Sequence, residues 1–182
     1  MAYAALPFEG VDWGPFDLVG VDHYWDERIE DQYVEMLHPF FATGKPVVVT
    51  GTGSRAYQGA HTSGTLGLGV VDPRSRFWHG LPVLGRFVRP HLKKGTCPRD
   101  EGAQARRLAS VLELLDRAGV DGDFIDTFVD GPSPYSEEAH YDLDMSVLSL
   151  VKTYEHGHGS TYPEMSWEPK EAFRAVAAYY AR

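Results

Sequence analysis

Three short and almost continuously apolar runs constrain the fold of this chain of 182 residues more than any other feature. They are residues 16–24 (FDLVGVDHY), residues 46–50 (PVVVT) and residues 122–130 (GDFIDTFVD). A strand with one solvated face alternates apolar and polar side chains, whereas a strand covered on both faces is apolar almost throughout. The three runs therefore predict buried strands of a parallel sheet.

Helical patterns lie between and after these runs. The clearest pattern covers residues 101–118, where apolar residues recur at helical spacing up to a terminating glycine. Residues 31–42 and residues 167–181 show a similar spacing, so we predict helices there as well. Residues 146–154 could form a further strand.

Two long segments of little periodicity, residues 51–99 and residues 131–165, interrupt the alternation of strands and helices. Long loops inside a compact domain are usually functional, and in (β/α) barrels the active site lies in the loops that follow the strands. The length of the chain and the alternation of predicted strands and helices predict a single α/β domain over residues 1–182. Because a barrel needs about eight strands, the sequence leaves two alternatives: a small open sheet, or a barrel whose remaining strands lie elsewhere.

Charge and composition disfavour several classes of function. The net charge of −9 and the pI near 5.3 argue against a surface for nucleic acids or anionic membranes, since both require clustered cations. No apolar run reaches the roughly 20 residues that span a bilayer, and the N-terminal residues lack the pattern of a signal peptide. The single cysteine, Cys97, cannot form an internal disulfide. We expect a cytoplasmic protein that binds neither nucleic acid nor membrane.

Five blocks of the sequence resemble the C-terminal part of a family of actinobacterial glycosidase-like TIM-barrel proteins that often carry an "abortive infection" label. The blocks are FDLVGVDHYWD, GKPVVVTGTGSRAYQGA, VDGDFIDTFVDGPSPY, YDLDMSVLSLVKTYE and TYPEMSWEPKEAF. The resemblance implies a partial (β/α) barrel that holds about the last three βα units with long βα loops. Since a half-barrel would expose strand edges, we expect a second polypeptide to complete it as a heterodimer or heterotetramer. A homodimer of half-barrels is the alternative.

The resemblance gives Gly51, at the end of the second apolar run, a particular meaning. The family pattern at this point is similar to GKPVVVTEFG, and its glutamate resembles the nucleophile of retaining glycosidases. Such enzymes need two carboxyl groups roughly 5 Å apart. Glycine supplies no nucleophile, and the acid/base would belong to an earlier strand that this chain does not contain. The resemblance thus implies a barrel scaffold that has lost ordinary retaining hydrolysis.

A split protein with this loss also resembles one subunit of the two-component enzymes that form aziridine rings in azinomycin- and vazabitide-type biosynthesis. That resemblance implies a cofactor-free reaction in which an amine attacks a carbon that bears a sulfate leaving group. The substrate would be an amino-acid derivative on a carrier protein, which is therefore a further expected partner.

Two alternatives remain open. One is a divergent glycoside hydrolase or sugar-binding protein with Trp25, Trp78 and Trp167 as stacking platforms, and the other is a non-catalytic subunit that stabilises an active partner.

The candidate site residues are polar side chains at the ends of the three predicted strands. Carboxylates there can bind or deprotonate an ammonium, histidine can protonate a leaving oxygen, and arginine suits sulfate or carboxylate. The predicted catalytic residues are Asp22, His23, His61 and Asp126. The predicted substrate-binding residues are Tyr24, Asp26, Thr50, Arg55 and Tyr57.

Each of these residues also has a structural interpretation. Asp22 could cap a turn, His23 could pack in the core, and Asp126 could make a buried structural hydrogen bond. The motif formed by His156 and His158 could supply two metal ligands, but no third ligand follows at a suitable spacing. We therefore predict a polar loop there and no metal site.

Overall fold

The computed structural model describes residues 2–62, 69–95 and 98–182, and its central element is a four-stranded parallel sheet. The strands, in spatial order, are β1 (Ala4–Ala5), β2 (Val19–Asp22), β3 (Val47–Thr52) and β4 (Gly122–Ile125). The predicted α/β class and the existence of the three predicted strands are confirmed, but the third run forms a strand only over Gly122–Ile125 and, contrary to the prediction, this strand is not buried. The additional strand, β1, has only two residues, which is too short to leave a periodic signal in the sequence.

The described residues also contain four α-helices, which differ in how closely they follow the predictions. The helices are α1 (His38–Phe41), α2 (Pro73–His79), α3 (Glu101–Ala118) and α4 (Glu171–Tyr180). The prediction for α3 is confirmed to the residue. Asp100 caps its start by accepting a hydrogen bond from the Ala103 amide, and Gly119 ends it at a φ of 78° in the left-handed region.

The prediction of one continuous helix over residues 31–42 is wrong. The chain forms 3-10 turns at Glu27–Gln32 and Glu35–Leu37 before the single α-helical turn of α1. Pro39 explains the break, because proline has no amide hydrogen and is tolerated in the first turn of a helix but not in its interior.

Two short strands form a separate antiparallel pair. They are β5 (Val151–Thr153) and β6 (Trp167–Pro169). The possible strand within residues 146–154 is thus confirmed as β5. The predicted helix over residues 167–181 begins only at Glu171, because its first residues belong to β6.

Helices cover one face of the parallel sheet. On that face the valines of β2 and β3 are fully buried in a core that they share with α3; they are Val19, Val21, Val47 and Val49. The strand register aligns Gly20, Val48 and Gly122 on the opposite face, which we call the open face. Phe124 follows on this face and is 62% exposed. Parallel sheets are normally covered on both faces, so the described residues complete only half of the expected layering.

None of the helices in the described segments is long and apolar enough to cross a membrane.

Candidate functional site

A cleft of about 490 Å³ lies at the carboxyl ends of the parallel strands, which is where open α/β sheets bind their ligands. Apolar side chains, among them Leu6, Met36 and Leu148, form most of its wall. Its charged and hydroxyl-bearing lining residues are Asp22, Tyr24, Arg55 and Asp126. With His23, which also lines the cleft, the structure brings together five of the nine predicted site residues around a small, mostly apolar space.

Each of the two carboxylates in the cleft is held by one hydroxyl group. Asp22 is the last residue of β2, and its Oδ1 accepts a hydrogen bond of 2.7 Å from the Thr50 hydroxyl on β3. Asp126 directly follows β4, and its Oδ2 accepts a bond of 2.7 Å from the Tyr24 hydroxyl. The amide of Asp126 also donates to the Thr52 carbonyl at 2.7 Å, which fixes its position beside β3. The predicted residue Thr50 thus acts by positioning Asp22.

The Tyr24 phenol remains a donor over the physiological pH range. Burial raises the pKa of this hydroxyl, and its hydrogen bond to Asp126 raises the pKa further. A neutral phenol can only offer its single proton to the carboxylate. The bond therefore fixes one of the two carboxylate oxygens of Asp126.

Gly51 lies opposite Asp22 because the register between β2 and β3 shifts by one residue after Val21. A β-carbon at Gly51 would lie 3.0 Å from Asp22 Oδ1 and 3.0 Å from the Tyr24 hydroxyl. The space where a longer side chain would begin is therefore already used by Asp22 and Tyr24. The end of β3 at Gly51 is therefore packed against two polar groups.

Arg55 supplies the positive charge of the cleft. Its side chain is buried, and Nε donates to the Ser146 carbonyl at 3.0 Å. Burial lowers the pKa of Arg55, while the nearby hydroxyls of Tyr57 and Tyr24 act in the opposite direction. Because a guanidinium stays protonated in proteins, Arg55 presents a desolvated cation to the cleft. The carbonyl of Ser146 was not predicted, since a backbone acceptor leaves no signal in residue type.

His23 also borders the cleft, but its ring turns towards Tyr33. The two rings stack with centroids 4.1 Å apart, and His23 Nε2 donates to the Tyr33 carbonyl at 2.7 Å. The Tyr33 hydroxyl donates back to the His23 carbonyl at 2.9 Å. Burial lowers the pKa of His23, so the ring is neutral at pH 7. This geometry is that of a packed residue, and a catalytic role for His23 stays a prediction.

Two other predicted residues, Asp26 and Tyr57, do not line the cleft. Asp26 caps the turn at Glu27–Gln32 and pairs with Arg28 at 2.8 Å; these hydrogen bonds lower the pKa of Asp26. Tyr57 is buried in a separate core cluster, and no hydrogen-bond partner for its hydroxyl lies among the described residues. His61 lies in the turn Ala60–Thr62, and its side chain is outside the described part of the chain.

A buried ion network lies outside the cleft and was missed by the sequence analysis. Arg99 contacts three carboxylates, those of Glu101, Asp142 and Asp144, at 2.8 to 3.0 Å. Lys170, which is 0% exposed, pairs with Asp144 at 2.9 Å. Burial lowers the pKa of Lys170 and raises the pKa of Asp142. The network fixes the segment just before Ser146, so it indirectly supports the carbonyl that holds Arg55.

The side chains of His156 and His158 are exposed, as expected for the predicted polar loop. Within the segments that the structure describes, no group of three or more His, Cys, Asp or Glu side chains is arranged to hold a metal ion.

No family model matches this chain, and no curated protein matches it either.

Proposed function

We propose that this chain is one subunit of a heteromeric biosynthetic enzyme that closes an aziridine ring on an amino-acid derivative held by a carrier protein. One observation carries the proposal: two carboxylates and a buried guanidinium line the same small, mostly apolar cleft. The carboxylates of Asp22 and Asp126 suit an ammonium group. The guanidinium of Arg55 suits an anionic leaving group such as sulfate.

The proposed step needs no nucleophile from the protein. One carboxylate of the pair takes a proton from the ammonium, and the neutral nitrogen attacks the carbon that bears sulfate. The C–N bond forms as the C–O bond breaks, and the electron pair of the C–O bond leaves with sulfate, which Arg55 binds. Alignment of the amine with this carbon and exclusion of water by the apolar wall would supply the acceleration.

The open face of the sheet supports the proposal of a second polypeptide. Phe124 on that face is 62% exposed, Phe8 at the cleft is 82% exposed, and β1 and β4 form the edges of the sheet. A partner that adds strands beside β1 and β4 would bury these rings and close a barrel around the cleft. A cytoplasmic location for the complex belongs to the same proposal.

The glycan alternative has less support from the cleft. Trp25 is buried beneath the Arg107 guanidinium, which lies 3.5 Å from its ring, and Trp167 packs against Phe128. Trp78 lies on α2. None of these three rings lines the described cleft, so none is placed to stack on a sugar beside Asp22 and Asp126.

The decisive experiment uses the complex of this chain with its barrel-completing partner. The complex is incubated with a carrier-bound amino-sulfate and separately with aryl glycosides, and released sulfate, ring product and sugar are measured by mass spectrometry. Of the variants Asp22→Asn and Asp126→Asn, the one that removes the general base should lower ring formation by about 10²- to 10⁴-fold. Asp116→Asn, an exposed carboxylate on α3, is the matched control and should leave the rate unchanged.

Two outcomes would overturn the proposal. Turnover of glycosides without ring formation would favour the divergent hydrolase. Full ring-forming activity after simultaneous replacement of Asp22, Arg55 and Asp126 would show that the chain only stabilises a catalytic partner.

A further inference from the structure

The charge of this protein is distributed very unevenly along the chain. Residues 69–95, which we call the basic lobe, contain six Lys or Arg residues and one Asp, a net charge of +5. The rest of the chain holds eleven Lys or Arg residues and twenty-five Asp or Glu residues, a net charge of −14. The total of −9 therefore conceals a strongly cationic segment inside an acidic protein.

The basic lobe combines exposed cations with several exposed large apolar side chains, and Arg76 and Phe77 line one depression of its surface. The exposed cations are Arg74, Arg76, Arg86, Arg89, Lys93 and Lys94. Beside them in the chain, Phe77 is 63%, Val83 is 71% and Phe87 is 83% exposed, and Trp78 is also exposed. Exposed apolar patches mark interaction sites, and Arg with aromatic side chains is the combination enriched at the energetic centre of protein interfaces.

The basic lobe is anchored to the rest of the fold. The Leu92 amide of the lobe donates to the carbonyl of His140, which lies outside the lobe, at 2.8 Å. Val71 and Leu92 are buried in the same core cluster as Leu143. The lobe thus buries only a small apolar base and directs its aromatic rings outwards from a fixed backbone.

We propose that the basic lobe docks an acidic protein, which presents carboxylates to the arginines and an apolar strip to Phe77 and Phe87. This inference does not depend on the ring-closure chemistry. The lobe belongs to the connection between β3 and α3, so it leaves the sheet at the carboxyl ends of the strands. A protein docked there stands at the end of the sheet where the cleft lies.

Charge favours a compact acidic protein over the other polyanions. DNA and anionic membranes extend their charge far beyond a segment of this size, and the remaining −14 of the chain would be repelled by them. A second copy of this chain could offer only a different surface, since the lobe itself is cationic. Such a head-to-tail contact leads to rings or open filaments. A separate and compact acidic partner can confine its negative charge to the lobe, and its contact with the lobe does not propagate into a ring or filament.

The test compares two matched triple variants of the full chain. Arg74→Gln/Arg76→Gln/Arg86→Gln removes three cations from the basic lobe, and Arg106→Gln/Arg117→Gln/Arg174→Gln removes three exposed cations from α3 and α4. The probe is a synthetic amphipathic helix of twenty residues with glutamates on one face and leucines on the next. Binding is measured by fluorescence anisotropy at 50 and 300 mM salt, with circular dichroism as the check on folding.

The lobe triple should weaken binding at 50 mM salt by at least about tenfold, since surface charge pairs contribute modestly and add up over several sites. The α3/α4 triple should change the affinity for the peptide less than twofold. The double variant Phe77→Ser/Phe87→Ser, which removes apolar contacts, should weaken binding of the peptide at both salt concentrations. Equal loss in both triples would overturn the proposal, because it would mean non-specific attraction. Tighter binding to duplex DNA or to phosphatidylserine vesicles, or self-association that the lobe triple abolishes, would also overturn it.

Discussion

Replacement of Gly51 by alanine tests whether the end of β3 is shaped around Asp22 and Tyr24. The added β-carbon would lie 3.0 Å from Asp22 Oδ1 and 3.0 Å from the Tyr24 hydroxyl, so these two groups must move by a few tenths of an ångström. Both groups belong to hydrogen bonds of 2.7 Å, to Thr50 and to Asp126 respectively. We therefore expect Gly51→Ala to weaken both bonds.

The size of the effect follows from two opposing contributions. A lost hydrogen bond costs about 0.5–1.5 kcal/mol, so weakening two of them costs on the order of 2 kcal/mol. Replacing glycine by alanine also reduces the entropy of the unfolded chain, which stabilises the folded state by about 0.4–1 kcal/mol. The expected net loss in the free energy of unfolding is about 1 kcal/mol.

Urea denaturation of three variants separates these contributions. Gly131 has no atom within 4 Å of the place for a β-carbon, so Gly131→Ala measures the entropic gain alone and should be neutral or slightly stabilising. Tyr24→Phe removes the hydroxyl that the new methyl group meets. Gly51→Ala should therefore cost about 1 kcal/mol less in the Tyr24→Phe background than in the native one. If Gly51→Ala matches Gly131→Ala in stability and shows no coupling to Tyr24, the reasoning is refuted.

Two further predictions concern ionisable groups outside the cleft. Lys170→Met should lower the free energy of unfolding, measured by urea denaturation, by about 3–5 kcal/mol, because it breaks a fully buried ion pair with Asp144. An unchanged free energy of unfolding would contradict this prediction, since it would mean that Arg99 alone balances the charge of Asp144. Hydrogen bonds from Thr161 and Ser160 lower the pKa of Glu168 to about 2, so its folded-state pKa lies below the unfolded value of 4.5. Its stabilisation is therefore present above about pH 4.5 and is lost as the pH falls towards 2, and Glu168→Gln should flatten the dependence of the melting temperature on pH between 5 and 2.5. An unchanged slope in that variant would contradict this assignment.

The sequence predicted those strands and helices whose residue pattern lies within one continuous segment of the chain. The apolar runs identified β2, β3 and β4, and helix α3 was predicted to the residue because its apolar spacing and its terminating Gly119 lie within one segment. Helix α2 also had a local signal that was not used: Asp72 followed by Pro73 is a common start of a helix.

The candidate site was predicted in part, and the misses have a structural cause. Successive side chains near a strand end point to opposite sides, which is why Asp22 and Tyr24 face the cleft while the His23 ring turns to Tyr33. That alternation was available from the sequence. The shift in register that brings Gly51 opposite Asp22 was not, and neither were the pairings of the ion network, since Arg99 and Asp142 are 43 residues apart.

The bonds of the cleft join residues that are far apart in the sequence, and this has a consequence for the order of folding. The bonds that build the cleft join Tyr24 to Asp126 and Arg55 to Ser146, which are 102 and 91 residues apart. Contacts of this kind form only after the intervening chain has been closed into loops, and the entropy of closure makes them slow. Helix α3 needs only local contacts and can form early. We therefore expect the cleft to be among the last parts of the protein to take shape, so that a nascent or stalled chain holds its helices and core before it holds a binding site.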